Sequence, residues 1–83
     1  MLLYSVAGIH KRSSATYRIS VYFVAFEQAE AYKNDIKTKC RQYKEFAVQS
    51  NDVQHLDLVS YVDELGNLIV DGAPTKFYYS KVG

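Results

Sequence analysis

The chain is poor in the residues that usually announce a chemistry. It has one Cys, one Pro, one Met, four Gly and no Trp in 83 residues. The single thiol, Cys40, leaves no internal disulfide, so the fold is expected to rest on packing, and that cysteine usage fits a reducing cytoplasm. Glycines are too scattered to make a phosphate-cradling loop, and neither GxSxG nor HExxH occurs. Two histidines and one cysteine lack a zinc-ligand spacing, and Asp57, Asp63, Glu64 and Asp71 match no calcium loop, so no metal and no cofactor are expected. No apolar run approaches the roughly 20 residues that span a bilayer, so no membrane partner is expected. Met1 to Ile9 is apolar but has no basic leader and no small-residue cleavage site, and reads as a first strand, not a signal peptide. No internal repeat or low-complexity tract is visible.

What is present is an apolar, tyrosine-rich chain of the size of one domain, residues 1–83. Hydrophobic residues make up 48% and charged ones 23%, too apolar a mix for a disordered segment. A chain of this length buries only somewhat over about 60% of its unfolded surface. A homodimer is one way to add buried area. The net charge of +1 conceals an asymmetry. Residues 1–50 carry eight basic and four acidic side chains, net +4, and residues 51–83 carry two basic and five acidic, net −3.

Along the chain, Leu2 to Ile9 suits a strand and His10 to Ala15 a polar turn. Tyr17 to Phe26 carries the strongest strand pattern, with Ile19, Val21, Phe23 and Ala25 on one wholly apolar face. A helix is expected from about Glu27 to Ala47, because Ala29, Tyr32, Ile36, Cys40, Tyr43 and Ala47 recur at steps of three or four and form one apolar stripe. Acidic residues near its start and basic ones toward its end complement the helix dipole. Gln49 to Asp52 reads as a loop and Val53 to Asp63 as a strand with Leu56, Leu58 and Val62 on one side. Glu64-Leu65-Gly66-Asn67 is a turn in which Gly66 supplies the unusual φ. Leu68 to Asp71 returns as a short strand, Gly72-Ala73-Pro74 breaks it, and Thr75 to Val82 can form a last edge strand. The expected class is α+β: an antiparallel sheet with one long helix packed across one face, in the order ββαβββ or ββαββ.

Two surfaces stand out as binding candidates. Lys33, Lys37, Arg41 and Lys44 would line the flank of the long helix, and Lys11, Arg12 and Arg18 cluster with His10 around the first hairpin. Such rows meet anionic partners, although a charge run is more often a solvated face. Eight tyrosines are many for so short a chain. Tyrosine suits interfaces because it joins a large ring to a polar tip, and it stacks on unpaired bases. Tyr78 and Tyr79 are adjacent, so in a strand one of them faces outward. Cys40 with His10 or His55 is the nearest thing to a catalytic pair, but Cys40 sits on the apolar stripe, where thiols are inert packing residues. No catalytic residue is assigned.

A short strand pair runs into a helix that opens Ala25-Phe26-Glu27-Gln28-Ala29-Glu30-Ala31 and is followed by a strand pair around Glu64-Leu65-Gly66-Asn67. This layout resembles small phage-encoded accessory proteins of the anti-CRISPR type. The resemblance is one of architecture, covers most of the chain and transfers no functional residue. It implies a non-enzymatic inhibitor in the cytoplasm of a bacterial host. Such an inhibitor occupies a functional surface, often a nucleic-acid-binding one, of a larger protein or ribonucleoprotein complex. The alternative from the residues themselves is a nucleic-acid binder that uses the basic helix flank and exposed tyrosines.

Overall fold

A computed structural model describes residues 1–19 and 21–77. Its central element is β1 (Leu2–His10), which has strands on both edges. On one edge lies β4 (Tyr43–Asp52), antiparallel. On the other lie β2 (Thr16–Arg18) and β3 (Tyr22–Phe23), also antiparallel. Beyond β3 come β5 (Tyr61–Val62), β6 (Leu68–Val70) and β7 (Ala73–Thr75). Among the described residues the one parallel pairing is β3 with β5. The class is therefore α+β, a mostly antiparallel seven-stranded sheet with one helix packed against it.

The helix α1 runs Phe26–Lys39 and is shorter than the expected span to Ala47. Its last bond is from the Cys40 N–H to the Ile36 carbonyl, after which Cys40 leaves helical geometry at φ −98° and ψ 80°. Tyr43 and Ala47 belong to β4 instead. The reason lies in Phe46 and Val48. Continued at about 100° per residue, the helix would turn Val48 roughly 120° from the apolar stripe. As a strand, the same segment turns Phe46 and Val48 onto the core beneath α1. The residues expected to loop, Gln49 to Asp52, complete that strand and pair with Leu2 to Ser5.

The Tyr17 to Phe26 strand is split. Ala7 pairs with Arg18 and Tyr4 with Phe23, so five residue steps on this strand oppose three on β1. Ile19 still donates to the Val6 carbonyl at 2.7 Å, so the register changes after it. β4 has its own bulge: Ala7 faces Ala47 and Ile9 faces Lys44, leaving Glu45, at φ 53°, and Phe46 opposite Gly8.

The expected strand Val53 to Asp63 is only β5, preceded by a 3-10 turn (Leu56–Leu58) whose Leu58 is 76% exposed. Three leucine and valine positions alternate there, but a chain joining β4 to β5 must first cross β1. Glu64 to Asn67 does turn, with Gly66 at φ 87°, and the Asp63 carboxylate accepts from the N–H groups of Leu65 (3.0 Å) and Asn67 (2.8 Å). The next break falls at Asp71 and Gly72, both at positive φ, so Ala73 and Pro74 are not the interruption but lie within β7. Pro74 is tolerated because β7 is an edge strand among the described residues. The order is βββα, then four strands. The rest of the proposed last strand, with Tyr78 and Tyr79, lies outside the described residues.

The core sits between α1 and the sheet. Val6, Phe23 and Val62 are fully buried beneath Ala29 and Ile36. The Phe23 and Tyr32 rings pack at 5.5 Å. Gln28, 3% exposed, reaches from α1 to donate to the carbonyls of Asp63 (2.9 Å) and Glu64 (3.4 Å), pinning the β5–β6 turn to the helix. The opposite face of β1 is also covered: Leu3 and Ser5 are 0% and 1% exposed. Ser5 accepts from Asn51 Nδ2 at 3.0 Å. Leu58, Val59 and Ser60 line a concavity with Arg18 and Tyr22, which face away from α1. The β4–β5 connection thus crosses the side opposite the helix, the right-handed solution for two crossovers running in opposite directions.

Candidate basic and aromatic interface

Two turns meet at the His10 end of β1. The first joins β1 to β2. It is closed by the His10 N–H to the Ala15 carbonyl (2.9 Å) and the Ser14 N–H to the His10 carbonyl (2.8 Å), with Ser14 at φ 60°. Lys11, Arg12 and Ser13 form its exposed crest. The second joins α1 to β4 through Arg41 and Gln42, with the Tyr43 N–H reaching the Cys40 carbonyl at 3.3 Å. The Lys11 N–H donates to the Gln42 carbonyl at 2.9 Å and ties the turns together. Lys11, Arg12, Arg41 and Lys44, all exposed, are thereby gathered at one end of the sheet.

On one face of this end lies an aromatic triad, and Lys44, which pairs with Ile9, projects from the other. Gly8 pairs with Tyr17 and His10 with Tyr43, so three strands project rings from the same face. His10 lies 5.2 Å from Tyr43 and 6.3 Å from Tyr17, the two tyrosines are 6.2 Å apart, and every pair is edge to face. The Arg12 N–H donates to His10 Nδ1 at 3.2 Å, which leaves the neutral ring with its proton on Nε2. Tyr17 is 48% exposed. A concavity of about 440 Å³ opens between His10, Lys11, Arg12 and Gln42.

The other expected site residues are elsewhere. Lys37 is exposed in the last turn of α1 and points the helix's positive charge toward this same end. Lys33 is held by Glu30 at 2.8 Å, back along the helix. Arg18 lies over the Tyr22 ring at 4.6 Å on the other face of the sheet. The continuous row of four cations along a helix flank does not exist, because Arg41 and Lys44 lie beyond the helix end. Tyr78 and Tyr79 fall outside the described residues. The Tyr17–His10–Tyr43 triad was not foreseen. Alternation alone does not give it: Tyr43 is an odd number of positions from Phe46 and Val48, and only the bulge at Glu45 and Phe46 brings it to their face, opposite His10.

The far end of β1 carries the opposite sign. Asp52 pairs beside Leu2, Glu27 opens α1 next to the Phe26–Tyr4 ring contact, and Asp63 and Glu64 follow β5. Lys76 follows β7 at this end, on the outer edge of the sheet. Basic and acidic ends are thus separated by the length of β1, about 30 Å at 3.3 Å per residue.

No protein-family model, curated protein or solved structure matches this chain. Among the described residues, no group of three or more His, Cys, Asp or Glu side chains is placed to hold a metal ion. No helix there is long and apolar enough to cross a membrane. The geometry offers anion recognition: Lys11, Arg12 and Arg41 on two joined turns beside rings with hydrogen-bonding tips, and Lys44 on the opposite face of the same end.

Proposed function

We propose that this protein is a small non-enzymatic binding module of the inhibitor type, comparable to an anti-CRISPR protein. Its basic and aromatic end would dock on an acidic surface of a larger protein or ribonucleoprotein complex, in the cytoplasm of a phage-infected bacterial host. The observation that carries this reading is the joining of the two turns through Lys11 and Gln42, which sets Lys11, Arg12 and Arg41 beside one aromatic triad, with Lys44 at the same end on the opposite face of the sheet. Rigid tyrosines amid arginines are the composition of binding hot spots. The acidic far end and the net charge of +1 favour a protein partner, since a polyanion of uniform sign would be repelled by half of the molecule.

Capture of partners by the tagged chain from bacterial lysate, with and without nuclease, tests this reading when run beside Arg12→Glu/Arg41→Glu. The expected result is a discrete protein complex that survives nuclease, is lost with the double reversal, and is kept by Lys76→Glu at the other end. Retention by the double reversal removes this end from the function. The second reading, single-stranded nucleic acid, is favoured by one feature: the exposed Tyr17 ring beside the cations. It requires that capture vanish with nuclease and that affinity fall with salt at a log–log slope of about −2, near the value for three phosphate contacts on a single strand.

A further inference from the structure

β4 is ten residues long and, among the described residues, pairs through one edge only. Its hydrogen-bond phase is set just beyond the Leu2–Asp52 pair. The Val53 N–H donates to the Met1 carbonyl at 2.8 Å and the Met1 nitrogen to the Val53 carbonyl at 2.9 Å. By alternation, Asn51, Gln49 and Ala47 turn their backbone groups to β1. Val48, Ser50 and Asp52 therefore turn N–H and C=O to the open edge. Such an edge is a template for another strand unless something blunts it. Between Phe46 and Asn51 nothing does: the run has no charge and no proline. The charges and the bulge sit at its ends, with Lys44 and Glu45 at one and Asp52 at the other.

We propose that β4 is a homodimer interface, in which two copies pair β4 with β4 antiparallel about a twofold axis and form one continuous sheet. The charge distribution selects both the partner and the direction. Antiparallel pairing sets Lys44 of each copy opposite Asp52 of the other, a carboxylate that its own Met1 ammonium touches at 3.4 Å but leaves exposed; parallel pairing would set Lys44 beside Lys44. A twofold normal to the sheet keeps each face continuous, and a centre on Val48 uses the whole run from Lys44 to Asp52. Val48 then exchanges both hydrogen bonds with its own copy, and Phe46 stands opposite Ser50.

Sedimentation equilibrium from low micromolar to near-millimolar concentration tests the dimer, with Ser50→Pro as the decisive variant. The Ser50 N–H points outward, so proline there removes no bond to β1 and should give a folded monomer by circular dichroism. Lys44→Glu and Asp52→Lys should each raise the dissociation constant several-fold, and the double exchange should restore it. A wild-type chain monomeric throughout, or a dimer that survives in folded Ser50→Pro, overturns the proposal. If that variant does not fold, amide exchange in the wild-type chain decides. Val48, Ser50 and Asp52 should exchange more slowly at high concentration than at low, and equal rates at both would sink the idea.

Discussion

At the scale of single residues, the tightest point is Gly8. A Cβ built there would lie 2.7 Å from Ile19 Cδ1 and 3.2 Å from the Phe46 ring. Ile19 can swing its terminal methyl aside, but Phe46 is held by the bulge, so Gly8→Ala should cost about 1–3 kcal/mol by urea denaturation. Tyr32 gives a pH dependence. Burial first, then the neighbouring Cys40 and Asp35 charges, push its phenol above the usual 10.0, with Lys39 opposing. The folded chain thus holds this proton more tightly than the unfolded one. The resulting stability is complete below about pH 10 and is lost as pH rises through the folded value. Wild type should lose stability more steeply than Tyr32→Phe above pH about 10, and parallel curves for the two would refute the assignment. Phe23 could be placed in the core from alternation alone. Leu58 could not be placed on the surface that way, because its exposure depends on how a distant connection crosses the sheet.

At the scale of elements, α1 starts without help. Ala25 occupies the N-cap at φ −102° and ψ 133°, suitable cap geometry with no side-chain bond to offer. Ala25→Ser should stabilise the fold by about 0.5–1 kcal/mol, read as a raised urea midpoint with unchanged slope. The strand at the start of the chain, the first turn, the helix's first half and the Gly66 turn were all legible, because each is encoded by neighbours in sequence. The segment 43–52 was not. Its helical spacing is real, but burial against β1 outweighs local propensity, and that information is held by residues some forty positions away. The basic site is legible as residue types and not as a place: helical spacing puts Arg41 and Lys44 on a helix flank, whereas the turn after α1 holds Arg41 and β4 holds Lys44 at the end of the sheet where Lys11 and Arg12 lie.

At the scale of the whole molecule, the charge division between the two halves of the sequence becomes in part a division between the two ends of the sheet: Asp52, Asp63 and Glu64 gather at the Leu2 end, while Asp71 follows β6 toward the other. The sequence half-counts hinted at this polarity, and antiparallel pairing of β1 with β4 gave it direction. The same pairing has a consequence in time. The most enclosed strand is the first to be made, and its long partner comes last among its neighbours, with Leu2 waiting for Asp52. A growing or refolding chain must therefore keep an apolar ribbon unsatisfied until β4 arrives, and loop closure of that span has to precede its reward. Slow, cooperative folding in the millisecond-to-second range, with no stable half-built intermediate, is what such a wiring order imposes on a chain of this size.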